Sequence, residues 1–327
     1  MFVDCRKKSR ELARNVCFFA LLVFDNSSLR SGYKSTNGLF GLQHFISQHL
    51  YCQGRWLLQK HGLDLELIQM AGPLPIAAMV AGDLDYLTGI TTGLVAAGQG
   101  VPLKGVMVVL RKPPFYLVSE PTIQKPEDLS GKRVGVDRIG SLQHLVARLI
   151  LKHRGLDPEK AIFTQTGSVS NTTTSLAQGA VSAAVLSGPH NVIMGQKGFH
   201  EIGSAAELPV HFPTSGLVVH DNKLKTDATR IKNVIRVMTE SIAFTRREKA
   251  WTAGYIRARW KLDTKVAETV YDQWLSTVAT DGKVNPRDFQ EYFDLAYAAK
   301  QIPAPVQFSA VMDYTLLDQV LKEGSTR

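Results

Sequence analysis

Cysteine is scarce in this chain of 327 residues: three occur, at positions 5, 17 and 52. They lack the C-x-x-C or His-rich spacing of a redox or zinc site, so neither a disulfide framework nor a structural zinc is expected. Cys52 has no activating partner recognisable from sequence and reads as an ordinary thiol. Also absent are the G-x-S-x-G elbow, the H-E-x-x-H helix and the G-x-x-x-x-G-K-[ST] loop, which removes the simplest catalytic readings. Gly98-Gln99-Gly100 lacks the third glycine of a dinucleotide fingerprint. His44 and His49, five residues apart, are poorly spaced for joint ligation from one helix face. No metal and no cofactor is expected.

Long apolar runs are missing too, with one short exception. Val16 to Phe24 follows a basic stretch in the order of a secretory signal, but the run is short for a membrane span and Asp25-Asn26-Ser27-Ser28 is a poor cleavage site. Residues 1–28 are expected to form a leader or a disordered extension. The hydrophobic fraction of 44% and charged fraction of 20% are those of a soluble globular protein, which excludes dominant disorder. Of the formal charge of +9, much sits at the start, in Arg6, Lys7, Lys8, Arg10 and Arg14. Beyond them there is no dense Lys/Arg run with interleaved aromatics and no helix-turn-helix or zinc-finger spacing, so nucleic acid is not an expected partner.

What the chain does contain is an echo. Lys60-His61-Gly62-Leu63-Asp64, then Gly72-Pro73, then Ala81-Gly82-Asp83-Leu84-Asp85 is answered by Lys152-His153-Arg154-Gly155-Leu156-Asp157, then Gly167-Ser168, then Gln178-Gly179-Ala180. The unit occurs twice, at a period far longer than a solenoid repeat, so two similar α/β lobes facing across a cleft are the simplest reading. A chain of this length commonly divides in that way.

Strand and helix signals alternate through most of the chain. Strands are expected at Leu29 to Tyr33, Leu65 to Ile68, Tyr86 to Ile90, Val106 to Leu110, Phe115 to Val118, Arg133 to Val136, Ala161 to Gln165, Ala183 to Leu186 and Leu217 to His220. Helices are expected from Leu39 to Tyr51, around Trp56 to His61, from Pro73 to Val80, from Thr91 toward Gly98, from Ser141 toward His153 and from Asn171 to Gln178. From Asp227 onward the pattern is helical, and the aromatics there, Trp251, Tyr255, Trp260 and Trp274, read as core or interlobe packing. The alternation implies largely parallel sheets covered on both faces.

In open α/β sheets, ligands lie beyond the carboxyl ends of strands. The loops at those positions are rich in hydroxyls and glycine: Ser35, Thr36, Asn37 and Gly38; Thr91 and Thr92; Gly140 and Ser141; Thr166, Ser168 and Ser170; Ser187 and Gly188. Each hydroxyl alone is explained by helix capping. Five such loops converging would place backbone N–H donors at helix starts around a small anion.

Several stretches resemble a known family, the substrate-binding proteins of nitrate/sulfonate/taurine-type ABC transporters, whose type 2 periplasmic-binding fold is shared with thiamine-pyrimidine synthases. The resemblance is carried by Lys60 to Asp64, Ala81 to Asp85, Gly100-Val101-Pro102-Leu103-Lys104, Asp128-Leu129-Ser130-Gly131-Lys132-Arg133-Val134-Gly135-Val136 and Gly155 to Asp157. It departs at residues 42–56, at Ser182 and in the leader. The resemblance implies a two-lobed fold, with lobe 1 formed by 29–115 and 221–327, lobe 2 by 116–220, and the helical C-terminal region packed on lobe 1. It implies ligand contacts from Ser35 to Gly38, Thr91, Thr92, Gly140, Ser141, Ser187 and Gly188, with Ser168 added from the loop pattern. The expected protein is a monomeric, noncatalytic, extracytoplasmic receptor. It captures a small polar or anionic organic ligand by hinge closure and delivers it to an ABC permease in the membrane. The alternative is a small-molecule enzyme on the same fold, such as a thiamine-pyrimidine synthase, although three scattered cysteines do not form the cysteine-rich iron-binding motif of those synthases. A regulator's ligand-sensing module would need a DNA-binding domain, for which no signature is present.

Overall fold

The computed structural model describes residues 57–325 except 67, 69, 71–73, 210, 212 and 299. The leader, all three cysteines, His44 and His49, the first expected strand, the Leu39 to Tyr51 helix and the Ser35 to Gly38 loop lie outside the described residues.

In chain order, α1 (Leu74–Ala81) and α2 (Ile90–Gly98) precede β1 (Leu103–Leu110), and the chain crosses to β2 (Tyr116–Ser119). Then follow β3 (Arg133–Val136), α3 (Leu142–His153), β4 (Ile162–Gln165), α4 (Val169–Ala177), β5 (Ala183–Leu186), α5 (His190–Gln196) and β6 (His200–Ser204). The chain returns in β7 (Ser215–His220) and finishes in α6 (Lys223–Thr226), α7 (Ala228–Arg247), α8 (Lys249–Trp260), α9 (Thr264–Thr277), α10 (Pro286–Ala298), α11 (Phe308–Val311) and α12 (Thr315–Ser325). Among the described residues no helix is long and apolar enough to cross a membrane.

Five strands form one sheet in the order β4-β3-β5-β2-β6. β3 pairs in parallel with β4 and β5, while β2 is antiparallel to both β5 and β6, so four strands run one way and one opposes them. β1 and β7 pair antiparallel, from Leu103 opposite His220 to Leu110 opposite Ser215. The parallel pairing expected beside them involves residues 29–68, most of which lie outside the described set.

The echo in the sequence is an echo in conformation. Gly62 and Gly155 both take positive φ, +67° and +91°, and Leu63 N to Leu58 O (2.8 Å) is matched by Leu156 N to Leu151 O (2.9 Å). Gly82 and Gly179 repeat this at +80° and +71°, with Asp83 N to Ala78 O (3.0 Å) matched by Ala180 N to Ser175 O (2.9 Å). Both pairs end a helix with a left-handed glycine and a backbone bond reaching back five residues, which satisfies carbonyls that the last turn leaves without partners.

One expected strand is corrected. Tyr86 to Ile90 is reduced to a single bridge, in which Leu87 exchanges bonds of 3.0 and 2.8 Å with Val218, because the chain turns into α2 at Ile90. The expected Leu65 to Ile68 strand includes residue 67, and its expected partner includes residues 29–33, all outside the described residues; the Leu65 side chain joins the apolar core beside β1 and β7.

That core is built by α7, α9 and α12 against the β1/β7 pair. Ile231, Val234, Ile235, Met238 and Ile242 of α7 recur at helical spacing and are buried with Val106, Val109, Val219 and Trp274. Each such side chain contributes about 2 kcal/mol on burial. A second apolar cluster runs from Leu87, Val108 and Val218 to Leu117, Val134 and Val185, so the two sheets are joined through packed side chains.

Gly216 shows how closely β7 is seated. A Cβ there would meet Met107 O at 2.3 Å and Ile90 Cδ1 at 2.6 Å. Gly216→Ala is expected to lower unfolding free energy by about 3 kcal/mol or more. Gly82→Ala meets no atom within 4 Å but keeps the φ of +80°, and should cost about 1 kcal/mol. Urea titration of both variants measures the contrast; equal losses would contradict the close seating.

Candidate functional site

A cleft of about 1250 Å³ lies between the two sheets, with walls supplied by the start of α2, the starts of α3 and α4, the strand connections and the α10–α11 turn. It receives Thr91, Thr92, Gly140, Ser141, Ser168 and Ser187, six of the seven sequence-indicated residues within the described part of the chain. Gly188, beside Ser187, is not among its lining residues, and neither are Thr166 and Ser170.

Three helices present their first turns to this cleft. Ser141 caps α3: its Oγ accepts from His144 N at 3.3 Å and donates to Asp137 Oδ1 at 2.5 Å. Ser168 caps α4, accepting from Asn171 N at 3.2 Å. α2 begins without a side-chain cap; Gly93 N bonds to Gly89 O at 3.1 Å, which leaves the earlier amides of Thr91 and Thr92 ahead of the first intrahelical bond. Thr91 Oγ1 is turned to Pro213 O at 2.5 Å, a contact that ties α2 to the segment returning to β7. Ser141 and Ser168 thus do the capping work that Ser does elsewhere, Thr91 does not, and all three helix starts line one space.

The sequence pattern did not single out the charged and apolar parts of the wall. Asp137, Arg138 and Lys300 line the cleft, with Arg138 and Lys300 both exposed. Asp137 is engaged locally, its Oδ1 also accepting from Arg138 N at 2.7 Å, so its charge is partly offset by donors from its own loop. Lys300 sits just after α10 in a left-handed conformation, φ +56°. Its neighbour Gln301 spans the cleft: Gln99 Nε2 donates to Gln301 O at 2.8 Å, and Gln301 Nε2 donates to Gly140 O at 3.4 Å. The rest of the wall is apolar, built by Ile76, Ala77, Val80 and Ala81 of α1 with Val95, Phe115, Leu142 and Leu145. Val80 is 56% exposed. A residue so far along the chain as Lys300 leaves no local signal of belonging to this site; a basic residue just past a helix end was the one available hint.

His144 lies in the first turn of α3. Burial lowers its pKa below the usual 6.5, with Arg148 adding to the effect and Glu159 and Asp137 opposing it. Its Nδ1 accepts from Gly140 N at 3.0 Å, which requires that nitrogen to be unprotonated. The folded protein therefore binds this proton less well than the unfolded chain. The stability that follows is present above pH 6.5 and is lost as pH falls below it.

Residues 56–249 match the family described as NMT1/THI5 like. No curated protein matches the chain by sequence. Among solved structures, the chain is similar to a putative periplasmic sulfonate-binding protein SsuA of a sulfonate ABC transporter from Methylobacillus flagellatus KT, at TM-score 0.71 and 17% identity over 86% of this chain and 90% of that one. It is similar to the alkanesulfonate-binding protein SsuA from Xanthomonas axonopodis pv. citri bound to MOPS, at 0.65 and 19% over 83% and 95%. It is also similar to a variant of the desulfurization enzyme DSZB in complex with biphenyl-2-sulfinic acid, at 0.63 and 11% over 84% and 95%. Identities at this level establish the fold, that of periplasmic binding proteins.

Two measurements check this geometry. Ser141→Ala, which removes a cap and the bond to Asp137, is expected to cost about 1 kcal/mol in chemical denaturation. Across the drop from pH 7 to about pH 5.5, the wild type should lose more stability than His144→Gln, since only the imidazole titrates in that window; parallel losses would contradict the burial assigned to His144.

Proposed function

From a chain that belongs to the NMT1/THI5-like family, we propose a noncatalytic solute receptor that holds a small organic anion with an apolar body, such as a sulfonate or carboxylate, between its two sheets. The observation that carries this reading is the mixed lining of the cleft, where helix starts, hydroxyls and Arg138 occur together with the aliphatic residues Ile76, Ala77, Val80 and Ala81 of α1. The anionic head is to be held by the first-turn amides of α2, α3 and α4 with Thr91, Thr92, Ser141, Ser168 and Ser187, and the tail is to lie on Ile76, Ala77 and Val80. Gly188 serves through the backbone of the Ser187 loop. Residues 35–38 are proposed as the remaining ligand loop.

From sequence, lobe 2 is set at 116–220 with crossings near Phe115 to Val118 and Leu217 to His220; since β7 pairs with β1, the connections from β1 to β2 and from β6 to β7 are taken as those about which two lobes would close. Lys112 Nζ braces one crossing against the other, donating to Ala206 O at 2.8 Å and Leu208 O at 2.7 Å. A ligand that touches both lobes only when they are closed shifts that equilibrium by its differential affinity. Delivery to an ABC permease outside the cytoplasm is the expected use of the closed form; similar structures with that role support it.

A thermal-shift panel of alkanesulfonates, nitrate, aromatic carboxylates and pyrimidines is expected to show stabilisation by organic anions, growing with apolar tail length and absent for nitrate. The stabilising compound should be recovered chemically unchanged after prolonged incubation. Arg138→Gln is expected to weaken its binding about tenfold or more by calorimetry, with little change in the melting temperature of the free protein. Preference for neutral pyrimidines, or turnover of the bound compound, would overturn the reading.

A further inference from the structure

Gln143, the second residue of α3, lines the cleft at 5% exposure. Its Oε1 accepts from Asp137 N at 3.1 Å. A backbone N–H can only donate, so the amide oxygen has to be the atom on that side and the NH2 group the atom on the other. Asp137 is itself held, its Oδ1 accepting from Arg138 N and from Ser141 Oγ, so the Gln143 amide is fixed in rotation as well as in place. Its Nε2 donates to no group among the described residues. Ser141 already caps α3, so the helix does not need Gln143 for that purpose.

Ser187 repeats the pattern from the neighbouring loop. It is 3% exposed, lines the same cleft, and its Oγ bonds to no group among the described residues. β3 and β5 are adjacent parallel strands, so the loops that carry Asp137 and Ser187 leave the sheet side by side. The other buried side-chain amide among the described residues, Asn191, is engaged elsewhere: its Nδ2 donates to Gln273 Oε1 at 3.1 Å, and neither residue lines the cleft. Buried amide donors are nearly always paired, and this one points its free end into a space built to receive a guest.

We propose that the NH2 group of Gln143 is the specificity-determining donor of the cleft, reserved for an oxygen of the ligand's anionic head. The assignment rests on the anion-receptor reading above and sharpens it. Arg138 and Lys300 supply charge from exposed positions, while Gln143 supplies direction from a buried one. An oxyanion satisfies this fixed donor; a head group that presents an N–H or an ammonium there meets donor against donor and is rejected.

Calorimetry with 1-octanesulfonate, and a crystal structure of that complex, test the assignment. The complex is expected to place Nε2 within about 3.2 Å of a sulfonate oxygen. Gln143→Met, similar in length but without a donor, should weaken binding about tenfold. Gln143→Glu keeps an oxygen for Asp137 N but turns a second oxygen toward the sulfonate, and should weaken it about a hundredfold. The order of the two variants separates the roles: if Gln143 only holds the Asp137 loop, Gln143→Glu binds as wild type does and Gln143→Met is the weaker, which overturns the proposal. A complex with Nε2 more than about 4 Å from every sulfonate oxygen overturns it as well, and that measurement needs no variant to fold. Wild-type protein that does not bind 1-octanesulfonate at all removes the anion-receptor reading together with the assignment, an outcome distinct from tight binding that both variants retain.

Discussion

The pairing of β1 with β7 is the constraint on which the rest of the molecule depends. Residues 116–204, with their own five-stranded sheet, are inserted between these two strands, so the chain leaves and re-enters the first layer at adjacent points. Gly216 has no room for a side chain because β7 is pressed between Met107 and Ile90, and Leu87 is held to Val218 by two backbone bonds.

The cleft inherits its chemistry from this arrangement. Parallel strands β3, β4 and β5 deliver their carboxyl ends, and hence the starts of α3 and α4, to one side of their sheet; the bridge at Leu87 delivers α2 from the other layer. Helix starts that are remote in sequence thus share one pool of unpaired amides, where low local dielectric strengthens their attraction for an anion. Arg138 and Lys300 add two cations, while Asp137 has its charge spread over Ser141 and its own loop amides. The aliphatic residues of α1 in the same wall make a bare inorganic ion a poor fit and an amphiphilic one a good fit.

Local rules written in the chain determined a good part of this. The paired Lys-His-Gly-Leu-Asp and Lys-His-Arg-Gly-Leu-Asp stretches end helices in the same left-handed way because only glycine adopts that conformation without strain, and Ser141 and Ser168 cap helices because their hydroxyls satisfy the first free amides. β3 and β5 fall where short apolar runs between turn signals put them. What required the tertiary structure is everything that depends on partners far along the chain. Tyr86 to Ile90 has strand composition yet becomes a bridge and a helix start, since ladder pairing needs a neighbour that local composition does not supply. Lys300 and Gln301 reach the cleft because α10 packs where it does; residue type announces a charge, whereas only folding decides what it faces.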